Sequence, residues 1–299
     1  MKLTAIILTF NESMHLRRCL ESLKGLVDTV VVVDCFSTDN TIEIAKSFNA
    51  LILQRRWTNH ADQFNWALTQ LSDDTEWILR IDADEYLTTG LVAEIKAKLP
   101  TIGADVNGIF INRRMAFQRK LISHGGVFPI RIIRLFRFGY GQCEQRLMDE
   151  HIKVIGTTSA FSSEIIDDNL NSLAWWIEKH NKYSSLEAVE LLNRQFCFMH
   201  TDALARIDYS NQAELKRWIK EKIYLRLPNG LRALLYFLYR YVFRLGFLDG
   251  QRGTAFHVLQ GFWYRYLVDC KVIEVKRYMF SHQVDIKEAI NSVLGIKLS

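Results

Sequence analysis

The chain has 299 residues, 49% hydrophobic and 24% charged, a packed globular composition that excludes disorder and collagen-like repeats. Three prolines leave no Pro-rich linker. Five cysteines without a CxxC pair make neither a disulfide scaffold nor a zinc ribbon, so Cys19, Cys35, Cys143, Cys197 and Cys270 read as reduced thiols. The net charge of +5 is uneven: residues 202–299 hold 16 Lys and Arg against 9 Asp and Glu, so an anionic partner is expected for that third.

In chain order, residues 3–10 form an apolar β-prone run with no helical period, and 12–26 space Leu16, Cys19, Leu20 and Leu23 along one helical face. Residues 29–33 are almost pure Val, which predicts a strand buried on both faces. A helix over 41–48 is preceded by Asn40, which with Glu43 resembles a capping box. A short strand at 51–53, a helix at 61–71, a strand at 77–81, a helix at 91–99 ended by Pro100, and a strand at 107–112 follow. Alternation of this kind predicts an α/β fold, a mostly parallel sheet flanked by helices. Ligands of such sheets bind beyond the carboxyl ends of the strands.

Polar residues gather at those ends. The first strand runs into Thr9-Phe10-Asn11-Glu12, the second into Asp34-Cys35-Phe36-Ser37-Thr38-Asp39, and the fourth into Asp82-Ala83-Asp84-Glu85. Each has a purely local explanation: Asn11 as a helix N-cap, Asp39 or Asn40 as the next cap, Asp82 as a turn former. Together they place several carboxylates at one edge, where they repel unless a cation or a hydrogen-bonding ligand is present. Asp82-x-Asp84 can share one hard cation, Mg²⁺ or Mn²⁺, with waters and phosphates completing its shell, a set that suits a nucleoside diphosphate leaving group. Neither a GxxxxGK[ST] loop nor a GxGxxG turn is present, so metal and side chains must hold the phosphates.

Leu8-Thr9-Phe10-Asn11-Glu12, then Val31-Val32-Val33-Asp34 with Ser37-Thr38-Asp39-Asn40-Thr41, then Arg80-Ile81-Asp82-Ala83-Asp84-Glu85 resemble the ordered motifs of family 2 glycosyltransferases with the GT-A fold. His124-Gly125-Gly126, Arg134-Leu135-Phe136, Met148-Asp149-Glu150-His151 and the stretch from Leu245-Gly246-Phe247-Leu248-Asp249-Gly250 to Gln260-Gly261-Phe262-Trp263-Tyr264-Arg265 resemble a bacterial branch that builds lipopolysaccharide or exopolysaccharide. Cys35-Phe36 departs from the small residues usual there. The resemblance implies an inverting, metal-dependent hexosyltransferase that uses a nucleotide-sugar, by preference a UDP-sugar. The acceptor would be a saccharide or lipid-linked saccharide. Thr9, Asn11, Glu12 and Asp34 would form the nucleoside pocket, with Asp34 accepting from the uracil imide and Asp39 beside it. Asp82 would approach the ribose or the metal, and Asp84 would ligate the metal. Asp149 or Glu150 would be the general base, a role worth about 10²–10⁴ in rate.

Other residues carry two readings each. His124 with its two glycines forms a loop over the sugar or a simple turn. Arg134 meets phosphate, or with Arg131 lies on a solvated strand face. His60 or Asp62, at a helix start, contacts donor; His151 is structural; Trp175-Trp176 packs in a core.

Residues 214–252 carry 9 basic and 3 acidic residues among many Leu and aromatics. As a helix, they would place Arg232, Arg240 and Arg244 on one side, which fits a helical, membrane-surface-associated extension attracted by anionic lipid. The other reading is a buried helical hairpin with snorkelling Arg. The expected organisation is a catalytic domain over 1–200 and a helical acceptor and membrane element over 201–299. With no secretory signal and no apolar run long enough to span, the expected location is cytoplasmic, peripheral on the inner face of the cytoplasmic membrane. A DxD phosphatase or phosphotransferase and a non-catalytic membrane-surface protein are the competing classes. Nucleic acid is not expected, because long aliphatics rather than stacking platforms interleave the basic residues.

Overall fold

The computed structural model describes residues 2–145, 150–199, 228 and 230–298. The chain separates into two compact units, residues 1–170 and 171–299. The first unit begins β1 (Leu3–Thr9), α1 (Leu16–Leu23), β2 (Thr29–Asp34), α2 (Thr41–Ser47), β3 (Leu51–Gln54), α3 (His60–Thr69) and β4 (Trp77–Arg80). It continues with β5 (Glu85–Leu87), α4 (Thr89–Lys98), β6 (Val106–Phe117), β7 (Lys120–Leu121), β8 (Ile130–Arg137), β9 (Gly141–Cys143), β10 (Ile152–Val154) and β11 (Thr157–Asp168).

The main sheet is ordered β3-β2-β1-β4-β8-β6-β11-β5, with β7 beside β6. The strands expected from the first 80 residues form its parallel half. β8 joins β4 and β6 antiparallel, β6 and β11 are parallel, and β5 runs antiparallel on β11. The fold is thus α/β as expected, with antiparallel pairs in its second half. There, β6 turns straight back through β7 instead of crossing over by a helix.

Alternation along each strand divides the core. Leu3, Ala5, Ile7 and Val32 pack with Leu16, Cys19, Leu20 and Leu23 of α1 and with Leu91 and Ile95 of α4. Ile6, Val31, Val33 and Ile78 point the other way, onto Ala61, Phe64 and Ala67 of α3. Register then aligns the strand ends: Thr9 is paired with Asp34, and Asp34 with Gln54.

In the second unit, α5 (Leu173–Phe196) packs Ala188, Val189 and Leu192 against Val268, Val272 and Val275 of the helix Tyr264–His282 and against Ala289 and Ile290 of Ile286–Leu294. The boundary therefore falls after Leu170, not near residue 200, because α5 finds its apolar partners among the C-terminal helices. Trp176 is half-buried and stacks on His180 at 3.5 Å between centroids.

The expected basic face of this unit is inverted. Arg232 is buried and grips Asp269, its Nε donating to both carboxylate oxygens at 2.8 and 2.9 Å. Arg240 is 2% exposed and donates to Gln260 Oε1 and to His257 Nδ1, the latter at 3.4 Å. Of the three arginines only Arg244 is exposed. Burial of Arg232 and Arg240 corrects the expected basic face: these two arginines face inward, where Asp269, Gln260 and His257 supply acceptors, and aliphatic side chains face outward.

Candidate active site

Three loops at the carboxyl ends of β1, β2 and β4 build the site. Asn11 holds φ of +55°, and its side chain accepts from Thr38 N at 2.8 Å while its own amide donates to Ser37 Oγ at 2.8 Å. The first loop is thereby tied to the second, and Asn11 is not the cap of α1. Asp39 Oδ2 accepts from Ser13 N at 3.1 Å and Oδ1 from Thr41 N at 3.0 Å, so Asp39, not Asn40, satisfies the start of α2. Burial raises the Asp39 pKa, but hydrogen bonds from Thr41 and Ser13 outweigh it and hold the carboxyl at about 2. Glu12 N donates to Thr41 Oγ1 at 2.8 Å, and the Glu12 carboxylate accepts from buried His15 at 2.6 Å. His15 Nε2 accepts from Leu170 N, so its proton sits on Nδ1, towards Glu12.

Asp34 is fully buried. Oδ1 accepts from Thr9 Oγ1 at 3.0 Å and from Ser37 Oγ; Oδ2 accepts from Ser37 N at 2.9 Å and Gln54 Nε2 at 3.2 Å. Four donors fill a carboxylate's acceptor sites. The group expected to accept from a uracil imide is thus engaged by its own chain and shapes the loop around Thr9 and Ser37.

The Asp82–Glu85 turn is held by charge. Glu85 is buried; Oε2 accepts from Asp82 N at 3.0 Å and Oε1 from Arg134 Nη2. The same Arg134 nitrogen donates to Asp82 Oδ2 at 2.8 Å, and Arg80 Nε lies 3.9 Å from Asp82 Oδ1. Burial opposes ionisation of Asp82, but Arg134 and Arg80 hold its carboxyl far below the usual range. Glu85 is pushed up to about 7, first by burial and then by repulsion from Asp82 and Asp167 against the pull of Arg134. Arg134, expected on phosphate or on a solvated face, is only 3% exposed and spends its Nη2 on these two acids; Arg131 is the exposed member of the pair.

Asp84 is half-buried and bonded differently. Oδ2 accepts from Asn169 Nδ2 at 3.0 Å, and its backbone oxygen accepts from Asp168 N and from Arg18, which also donates to the Asp168 carboxylate at 2.5 Å. Burial and then the Asp84 charge push the neighbouring Asp167 carboxyl up to about 6. Among the described residues no group of three or more His, Cys, Asp or Glu side chains is placed to hold a metal. The donor set nevertheless suits a hard cation bound by one protein carboxylate and by ligand oxygens: among the described residues no arginine is bonded to the Asp84 side chain, and negative charge accumulates beside it. Asp82 fits that role less well, because Arg134 already neutralises it.

Arg80 donates to His60 Nε2 at 3.2 Å, which leaves the hydrogen on Nδ1, a buried atom with no partner among the described residues. Burial and then Arg80 lower the His60 pKa to about 4. Asp62 pairs with Arg55 at 2.9 Å, and Asn65 braces Cys143 through two 2.8 Å hydrogen bonds. Gly125 and Gly126 both adopt positive φ, +74° and +70°, which a loop over the sugar and a simple turn would equally use. Glu150 is half-buried, and its carbonyl receives Arg80 Nη1 at 3.5 Å. Asp149 lies outside the described residues. Sequence reasoning gave no role to Arg18, Glu85 or Arg80; Arg80 and Glu85 could have been noticed beside and within the DADE string, whereas Arg18 carried no signal, its partner Asp168 lying 150 residues away.

Among curated proteins, the chain is similar to an uncharacterized glycosyltransferase of Rickettsia bellii, 37% identical over 121 residues. The match covers 40% of this chain and 38% of that protein, so the chain spans about two fifths of this relative's length. It is 30% identical over 197 residues to the lipopolysaccharide core biosynthesis glycosyltransferase LpsC of Rhizobium meliloti, covering 62% of this chain and 70% of that one. Among solved structures, Staphylococcus aureus TarS 1–349 in complex with UDP-GlcNAc matches 95% of this chain and 93% of its own at 15% identity, with a TM-score of 0.45. Mycobacterium tuberculosis glucosyl-3-phosphoglycerate synthase with Mn²⁺, UDP and glucosyl-3-phosphoglycerate matches 38% of this chain and 44% of its own at 18% identity and a TM-score of 0.31. The glycosyl transferase family 2 model matches residues 4–170, which take in all three strand-end loops and the acids they carry, and the chain belongs to that family.

Proposed function

We propose that the protein transfers a sugar with inversion from a nucleotide-sugar, by preference a UDP-sugar, to a saccharide or lipid-linked saccharide of a cell-surface polysaccharide such as lipopolysaccharide or exopolysaccharide. The observation that carries the reading is the division of labour in the Asp82–Glu85 turn. Arg134 compensates Asp82 and Glu85, whereas the Asp84 side chain accepts from the neutral amide of Asn169 and sits beside a carboxyl raised by its charge. Asp84 would hold Mg²⁺ or Mn²⁺, which when bound neutralises charge on the leaving diphosphate.

Thr9, Asn11, Glu12, Asp34 and Asp39 form the nucleoside side, with Asp34 and Asp39 acting through the loops they fasten. His124 and the orphan Nδ1–H of His60 are donors for the sugar or its phosphates. Asp149 or Glu150 removes the acceptor proton, and attack opposite the leaving group inverts the anomeric centre. A phosphotransferase would need Asp82 as a free nucleophile, and Arg134 and Arg80 speak against that. The second unit would hold the enzyme on an anionic membrane surface, close to a lipid-linked acceptor.

The test is a panel of sugar nucleotides assayed for release of the nucleoside diphosphate with Mn²⁺, Mg²⁺ or chelator. Release from at least one donor, abolished by chelator, is expected. Asp149→Asn and Glu150→Gln, assayed for transfer, assign the base: the true base costs about 10²–10⁴ in rate. No release from any donor would sink the reading.

A further inference from the structure

The stretch from Leu245-Gly246-Phe247-Leu248-Asp249-Gly250 to Gln260-Gly261 takes no part in the chemistry above, yet it is built around a buried ionic chain. Asp249 lies 3.3 Å from His257 Nε2, and Arg240 donates to His257 Nδ1 and to Gln260. Arg240 and His257 sit on two widened π-helical turns, Tyr239–Phe243 and His257–Trp263. The glycines close the packing: a Cβ at Gly246 would stand 2.9 Å from the His257 ring and 3.0 Å from the Arg240 carbonyl, and one at Gly253 2.1 Å from Asp249 Cβ. Asp249, His257 and Arg240 thus spend these contacts on one another and on Gln260, inside the unit.

What remains outside is mostly apolar. Leu238, Val242, Phe243, Leu245, Phe247 and Leu248 are all exposed, Phe243 by 76% and Leu248 by 55%. A monomer has no folding reason to present so many large apolar side chains on one short stretch. Residues 230–265 contain five arginines and a single acid, Asp249, which is buried; Arg244 and Arg252 are exposed beside the apolar tip. No described helix is long and apolar enough to cross a membrane.

We infer that residues 238–248 form a knuckle that inserts its apolar side chains into the outer part of an anionic lipid monolayer, with Arg244 and Arg252 at the headgroups and the Asp249–His257–Arg240 chain as the rigid base. This rests on the membrane-surface reading proposed above and replaces its mechanism: apolar insertion, not a basic helix face, supplies most of the attachment. Lipid is the fitting occupant because the exposed side chains of the tip are apolar apart from Tyr239 and Arg244, an aromatic hydroxyl and a cation that suit the headgroup level, while the flanking charge is of one sign.

The test is flotation of the full chain with phosphatidylcholine vesicles containing phosphatidylglycerol, at low and high salt. The unmodified protein is expected to float at both, and Phe243→Asp with Leu248→Asp to lower partitioning by about tenfold or more at either. Arg244→Glu with Arg252→Glu should weaken binding about fivefold per arginine at low salt only. Phe243→Trp should bind undiminished and gain a vesicle-dependent blue shift over the unmodified protein. Failure of the unmodified protein to float overturns the membrane reading itself. Binding that survives the double Asp variant, or a Phe243→Trp difference spectrum indifferent to vesicles, overturns insertion and leaves the membrane reading standing. A dimer in solution that buries Phe243 would assign the knuckle to a second copy and also overturn it.

Discussion

Arg134 Nη2 donates to Asp82 Oδ2 at 2.8 Å, so the first acid of the Asp82-x-Asp84 pair is already partnered by a buried cation. The same nitrogen reaches Glu85, which in turn caps the Asp82 amide. Removing one partner of such a pair leaves uncompensated buried charge, which typically costs 3–5 kcal/mol. Arg134→Ala is expected to lose about that much stability in a urea titration and to lose donor binding with it. A variant that unfolds at the parental midpoint would contradict the buttress role and return Arg134 to direct ligand contact.

Asp84→Asn keeps the size of the side chain and its neighbour Asn169. The thermal midpoint should change little, while metal-dependent nucleoside diphosphate release falls roughly a hundredfold or more, the scale of losing a metal's charge stabilisation. Asp82→Asn should instead destabilise the turn, because Arg134 and Arg80 lose their counter-charge. Equal thermal behaviour of the two variants would refute this division.

Asp34→Ala strips an acceptor from Thr9, Ser37 and Gln54 at once. Buried donors left unpaired cost about 1–3 kcal/mol, so the variant should be less stable before any ligand is added. Calorimetry that finds weaker UDP binding at unchanged stability would restore a direct contact with the base.

Phe36 holds φ of +61° and is half exposed, a backbone region that costs a residue with Cβ about 1–2 kcal/mol. Glycine relieves that strain but gains freedom in the unfolded chain. Phe36→Gly should therefore stabilise the fold by about 0.5–1 kcal/mol in denaturant titration; a destabilised variant would mean that the ring makes a contact worth more than the strain.

His60 links pH to stability. Its folded pKa is lowered from 6.5 to about 4, by burial and then by Arg80. Between these values the unfolded chain binds the proton and the folded one refuses it, so stability falls as pH drops from 6.5 towards 4, by up to about 3 kcal/mol. His60→Gln should flatten that part of the stability profile. An imidazole resonance that titrates near 6.5 in the folded protein would disprove the shift.

The sequence by itself determined the parallel half of the sheet, because the Val-rich run 29–33 and the helical spacing of Leu16, Cys19, Leu20 and Leu23 are local patterns that burial follows directly. It also placed Asn11, Asp34, Asp39, Asp82 and Asp84 at one edge, since βα alternation puts strand ends together whatever the later chain does. Only the tertiary structure decided which acids keep their charge available. Arg134 is 52 residues from Asp82, and Asn169 is 85 from Asp84, separations over which composition and period carry no information. The same holds for the second unit. Helical spacing gathered Arg232, Arg240 and Arg244 on one side but could not say whether that side faced water or an interior, because the acceptors that make burial tolerable, Asp269 for Arg232 and Gln260 with His257 for Arg240, come from other helices.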